Sequence, residues 1–297
     1  MNPREKGFLL LSSHLGDRTR KVLSTAQMRT LSQRVQAAIR TDEERELECR
    51  DLTDLGYGKE TAEQILHLLS QEDVLDYYLR RGRQMVCVPV TRVSDAYPLL
   101  LRHRLGQDSP GCLWAKGDLT LLNTPAISLV GSRDLQQDNC HFAEEVGRQA
   151  AMQGLTLVSG NARGADKAAQ NACLRAGGNV ISIVADELAK QPLQERVLYI
   201  SEDDFEAPFS AQRAISRNRC IHALGWMVFV AQSGLEKGGT WDGTVKNLRH
   251  GWSSVACFRD GSRASQCLES MGAYLVGTED LTDIGDLLDG MKGIFDR

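Results

Sequence analysis

A chain of 297 residues, 42% hydrophobic and 25% charged, has the length for one large domain or for a small domain joined to a larger one. No apolar run approaches the ~20 residues of a membrane span. Residues 8–11 are too short for the core of a signal peptide, and eight scattered cysteines without a C-x-x-C pair argue against a zinc site or redox pair and for reduced thiols in a cytoplasm. The net charge of −4 excludes a strongly basic surface, and the segment after residue 277 holds six acids and two bases, so the rest of the chain is balanced. Any anion site must therefore be local, a few arginines in a cleft.

Residues 1–78 read as a small all-helical domain. Met28, Leu31, Val35 and Ile39 recur at close to helical spacing, and residues 43–50 read as a charged, solvated helix. Residues 52–65 place Gly56-Tyr57-Gly58 between two helical stretches, as in a helix-hairpin-helix or SAM-like unit. Such a glycine turn offers backbone N–H groups to a DNA phosphate, or is simply a tight helix–helix turn. Residues 79–83, with Arg80, Arg81 and Arg83, read as a basic linker into a second domain, 79–297.

That second domain begins with an apolar β-rich run at 85–90, a short helix from Ala96 and a strand and turn over 111–118. Ala126–Val130 is too short and too apolar for a helix and ends at Gly131-Ser132-Arg133, so it is a buried strand. Phe142, Val146 and Ala150, four apart, mark the core face of a helix over 135–153 that Gly154 stops. A second strand at 155–158 hands over through Ser159-Gly160-Asn161-Ala162-Arg163-Gly164 to an alanine-rich helix over 166–176, and a third strand follows at 180–184. This β-loop-α repetition is the start of a parallel sheet with helices on its faces. Further on come a strand at 196–201, an acidic and solvated run at 202–206, a helix over 211–224 and an apolar strand at 226–230. A third glycine-rich loop spans 233–244 and leads into a helix that ends near His250. Strands at Ser254–Phe258 and Tyr274–Val276 and an amphipathic helix over 281–295 complete the chain.

The glycine loops all lie where a strand passes into a helix. Glycine lets a backbone approach a ligand, the helix N-terminus offers free N–H groups, and an arginine there clamps a phosphate bidentately. The plainer alternative is ordinary βα turns with solvated arginines. No Gly-x-Gly-x-x-Gly follows the first strand, which disfavours NAD or FAD, and no metal-ligand spacing or cofactor signature is present.

The loops resemble those of the DprA/Smf family of DNA-processing proteins. The matching residues are Tyr97-Pro98, Trp114-Ala115-Lys116-Gly117-Asp118, Val130-Gly131-Ser132-Arg133, Ser159 through Asp166, Ser201-Glu202, Arg217-Asn218-Arg219 and Gly238-Gly239-Thr240, in family order over residues 79–277. The resemblance implies an extended Rossmann-like, mostly parallel sheet that binds single-stranded DNA, works as a homodimer, loads a RecA-type recombinase during DNA uptake and is no enzyme. Carried over by motif, Gly131, Ser132, Arg133, Ser159, Gly160, Arg163, Gly164 and Asp166 would hold phosphates. Arg217, Asn218, Arg219, Lys237, Gly238, Gly239 and Thr240 would complete the site, with Arg217 facing the ligand and Asn218 tying the loop together. The chain departs from the family at Asn161 and Ala165 in the second motif and at Lys237 to Asp242 in the third loop. A C-terminal winged helix has no room after the sheet, which suggests a divergent branch.

Two other functions share these loops. A nucleoside-monophosphate phosphoribohydrolase of the same superfamily would need a carboxylate beside the glycosidic bond, and only Asp242, with Asp166 across from it, could serve. A nucleotide sensor would need the phosphate loops and no chemistry. Trp241 either stacks on a base or covers the sheet. His141 and His222 on helices are expected to be structural or solvated, and Lys190 either reaches a phosphate or lies in solvent.

Overall fold

The computed structural model describes residues 1–17, 19–38 and 46–288. Helices α1 (Pro3–Ser12), α2 (Thr25–Ala37), α3 (Cys49–Asp54), α4 (Lys59–Leu69) and α5 (Glu72–Gln84) come first. Leu11, Leu23, Leu52, Ala62, Ile65 and Leu68 form a small core of their own there. Gly56, at φ +84°, turns the chain between α3 and α4. The segment 79–83 is not a linker: it is the last part of α5. Leu75, Tyr78 and Leu79 on that helix join the main core, with Tyr78 packed against Trp114 (ring centroids 5.4 Å apart) and Phe205 (4.8 Å). A run of arginines looks solvated in sequence, yet every third or fourth residue of this helix is apolar and buried.

The remaining elements are β1 (Val88–Thr91), α6 (Leu99–Leu105), β2 (Cys112–Lys116), β3 (Ala126–Val130), α7 (Gln137–Met152), β4 (Thr156–Ser159), α8 (Ala165–Arg175), β5 (Val180–Ile183) and β6 (Val197–Ser201). They continue with α9 (Ala211–Ser216), α10 (Asn218–Leu224), β7 (Met227–Val230), α11 (Gly238–His250), β8 (Ser254–Phe258), α12 (Arg263–Ser270) and β9 (Tyr274–Val276). Among the described residues the strands form one sheet in the order β1-β2-β6-β5-β4-β3-β7-β8-β9, parallel from β6 to β9 with β2 and β1 antiparallel at one edge. This is an extended Rossmann-like sheet preceded by helices.

Alternation along β3 shows how the two faces are built. Ile127 and Leu129 enter the core that Phe142, Val146, Ala150, Ala169 and Cys173 of α7 and α8 complete. Ala126 and Val130 enter the opposite core with Ile221, Leu224 and Val245 of α10 and α11. Ser128, on that second face, donates to the Ile221 carbonyl at 2.5 Å, which satisfies its buried hydroxyl. Both faces are covered, as an all-parallel region requires.

Three sequence expectations are corrected. The acidic run 202–206 is not solvated: Phe205 is 0% exposed, Glu202 pairs with Arg219 at 2.5 Å, Asp203 with Arg213 at 2.5 Å and Glu206 with Arg81 at 2.7 Å. The single helix over 211–224 is two helices that break at Arg217. The third loop ends earlier than its glycines suggest, since Gly238-Gly239-Thr240 is already the first turn of α11. Residues 43–45 of the charged segment and 289–295 of the closing helix lie outside the described residues, while 284–288 are helical.

Candidate phosphate-binding site

The strand order reverses direction at β3. Successive strands β4, β5 and β6 lie on one side of it and β7, β8 and β9 on the other. A crevice forms at the carboxyl ends of strands at such a switch point, where neighbouring connections diverge to opposite faces. The loops after β3, β4 and β7 meet there and are stitched together through their backbones. Ser132 N–H donates to the Gln232 carbonyl at 2.9 Å, and Ala165 N–H donates to the Ser132 carbonyl at 3.1 Å. Thr240 Oγ1 donates to the Gly131 carbonyl at 3.0 Å, and Asn218 Nδ2 to the Gly239 carbonyl at 3.0 Å.

A cleft of about 450 Å³ lies between these loops. Gly131, Ser132 and Arg133 come from the loop after β3, Ala162 and Asp166 from the loop after β4, and Lys237, Gly238, Gly239 and Thr240 from the start of α11. Arg217 and Asn218 enter from the break between α9 and α10. Lys237 occupies the N-cap of α11 without a side-chain cap, so the N–H groups of the first turn keep their capacity for an anion.

Arg217 and Asp166 are each 7% exposed. Burial pushes the Arg217 guanidinium down from its ordinary value, opposed chiefly by the charge of Asp166. Arginine nevertheless stays charged at any pH a protein survives. Among the described residues, its Nε and Nη1 have no hydrogen-bond partner. Burial raises the Asp166 carboxyl, opposed by Arg217 and by the Ala162 N–H that donates to Oδ2 at 3.1 Å. A buried cation with two unspent donors is a site short of negative charge.

The structure does not bring the other expected residues into the cleft. Ser159 is fully buried and accepts from Gln170 Nε2 at 2.7 Å. Gly160 lies behind the cleft, where Arg217 and Asp166 occupy the space a Cβ would need. Gly164, at φ +79°, lets the second loop pass the carbonyls of Ser132 and Arg133. Arg163 points to solvent and pairs with Asp134 at 3.0 Å. Arg219 turns away into a larger groove of about 1380 Å³, held by Glu202 and the Ser216 carbonyl. That groove also takes Asp242, so Asp166 and Asp242 line different cavities.

Trp241 is 8% exposed and packs in the core under α11. His222 is fully buried, and burial pushes its ring down to about 3. His141 is exposed on α7, and Lys190 is exposed and paired with Glu187 at 2.8 Å. The sequence reading missed the apolar wall of the cleft, Ala211, Ala214, Ile215 and Ile221. Its signal was an Ile on the outer face of a short helix next to Arg217.

Against known proteins, the family model for DNA recombination-mediator protein A matches residues 89–250. The DNA processing protein DprA of Streptococcus pneumoniae is 32% identical over 160 residues, 49% of this chain and 54% of that protein. Protein Smf of Escherichia coli is 30% identical over 146 residues, 44% of this chain and 38% of that one. The matched region thus spans about half or less of these curated relatives. The X-ray structure of DprA from S. pneumoniae superposes with a TM-score of 0.68 at 25% identity, covering 89% of this chain and 94% of that one. The DprA structure from Helicobacter pylori, described for its single-stranded DNA binding mode, gives 0.54 at 20% identity, covering 70% and 96%. No described helix is long and apolar enough to cross a membrane. Because the family model covers more than half of the sequence and includes every element of the cleft, the chain belongs to the DNA recombination-mediator protein A family.

Proposed function

We propose that this family member is a DNA-processing protein whose switch-point cleft grips the backbone of single-stranded DNA. The observation that carries the reading is Arg217, buried with guanidinium donors unspent and accompanied by Arg133, Lys237 and the open first turn of α11. Phosphate is the anion that suits this set, because arginine forks and helix N-termini both favour its oxygens. The single-stranded DNA binding described for the H. pylori relative supports the choice of polymer. The cleft acts as a clamp without chemistry. The two carboxylates that a glycosidic hydrolase would need stand in separate cavities.

Action in the cytoplasm as a homodimer, with hand-over of the strand to a RecA-type recombinase, completes the proposal. The helical unit with its Gly56–Gly58 turn would serve as an accessory to the α/β unit. The test is titration with labelled oligo-dT at several salt concentrations. The protein is expected to bind with a negative log–log salt slope, which Arg133→Ala reduces by about 0.7 for one lost phosphate contact. Absence of binding, or a slope that Arg133→Ala leaves untouched, overturns the reading.

A further inference from the structure

The depth and charge of the cleft separate two ways in which a strand presents phosphate. An internal phosphodiester carries one negative charge and has a nucleotide on each side. A terminal phosphomonoester carries about −1.5 to −2 at neutral pH, offers three acceptor oxygens and has a nucleotide on one side only. Arg217 sits at the floor, beside Val130 and Ile221, which are 5% and 1% exposed. A phosphate that meets this guanidinium must enter the floor, and whatever is attached to it must follow. At about 450 Å³ the cleft falls low in the range of ~300–1,000 Å³ that small-molecule sites span. That volume suits one nucleotide and crowds two.

The charge balance points the same way. Arg133, Arg217 and Lys237 line the cleft against the single carboxylate of Asp166, a net charge of +2. The uncapped first turn of α11 adds the positive end of a helix of 13 residues. A dianion satisfies this set, and a diester leaves a positive charge unmatched.

We infer that the cleft takes the phosphorylated end of a single strand, with the terminal phosphate on Arg217 and the first nucleotide against Ala214 and Ile215. This rests on the strand-binding reading above and narrows it. The recognised chemistry is a phosphomonoester on a nucleotide, which a free nucleoside monophosphate also presents.

The intact protein is titrated with short oligo-dT bearing a 5′-phosphate, a 3′-phosphate or hydroxyls at both ends. Circular single-stranded DNA and thymidine monophosphate serve as competitors. One phosphorylated end is expected to bind at least about ten-fold tighter than the hydroxyl form, with the circle a poor competitor. Arg217→Gln and Lys237→Ala should each shrink that ratio toward one. Lys237 is exposed, so its variant reads the effect even if Arg217→Gln does not fold. Binding blind to the ends, with the circle competing equally per nucleotide, overturns the inference and leaves strand binding intact. Thymidine monophosphate competing as well as the phosphorylated oligomer supports the phosphate chemistry but overturns the DNA end as its source. Failure of every single strand to bind overturns both readings.

Discussion

The side-chain ends of Arg217 and Asp166 both converge on the bare α-carbon of Gly160. A Cβ at this position would overlap both Nη1 of the guanidinium and Oδ2 of the carboxylate. The obstacles are side-chain ends, not backbone, so Gly160→Ala moves the charged pair and leaves the loop in place. Overpacking of this kind costs about 1–3 kcal/mol. The variant should therefore fold with a lowered urea midpoint, and its oligo-dT affinity should fall at least about ten-fold as Arg217 leaves the floor of the cleft. Unchanged affinity in a variant of reduced stability would show that Arg217 does not touch the strand.

Arg219, next but one in sequence, has the opposite role. It holds Glu202, whose side chain is 9% exposed, at 2.5 Å, and it also donates to the carbonyls of Asp108 and Ser216. Removing it strands a largely buried carboxylate, which costs about 1–3 kcal/mol. Arg219→Ala is expected to lower the melting temperature by several degrees while oligo-dT affinity stays within about two-fold, the converse of Arg133→Ala. A selective loss of affinity without a loss of stability would return Arg219 to the binding site.

The contrast between these arginines shows what the sequence could carry. Strand–loop–helix periodicity placed β3 to β5 and the parallel sheet, because buried strands must be short apolar runs and α7 must show its apolar face every fourth residue. The loops after β3 and β7 were recognisable from glycine at strand ends. That Arg217 and not Arg219 faces the cleft was legible only from the family motif, not from composition or periodicity. Arg217 and Arg219 stand in one motif, and their directions differ because the helix over 211–224 breaks at Arg217, while Arg219 lies in the first turn of α10. The break leaves no composition signal. The acidic run at 202–206 was misread for a similar reason: its partners Arg81, Arg213 and Arg219 are distant or differently aligned in sequence, so the ion pairs exist only in three dimensions.

Asp166 gives a prediction with a sign. Burial raises its folded pKa above the unfolded value near 3.8. A raised pKa contributes stability that is fully present below the unfolded value and is lost as pH rises through the folded one. Wild-type protein therefore gives up stability on the way from about pH 4 toward neutrality, and Asp166→Asn, which keeps an acceptor for the Ala162 N–H, does not. Urea midpoints of the two proteins should diverge with rising pH in favour of the variant. At neutral pH the variant should also bind oligo-dT several-fold more tightly, since the carboxylate that competes with phosphate for Arg217 is gone. Midpoints that stay parallel across pH would mean that burial does not raise the Asp166 carboxyl in the folded protein.

His222 acts in the opposite direction. It is buried on α10 with neither ring nitrogen bonded among the described residues, and burial pushes it from 6.5 to about 3. A depressed pKa contributes stability that is present above the unfolded value and is lost as pH falls through the window down to the folded one. Each pH unit within that window is worth about 1.4 kcal/mol, so acidification from pH 6.5 to pH 5 should cost the wild type about 2 kcal/mol through this residue alone. His222→Leu fills a similar volume and removes two unpaired polar atoms, a change expected to be neutral or stabilising at pH 7. Thermal melts at pH 7, 6 and 5 should show the variant pulling ahead of wild type by about 4–8 °C at the lowest pH, at ~2–4 °C per kcal/mol. A constant difference between the two proteins at all three pH values would mean that the imidazole finds a partner and titrates normally.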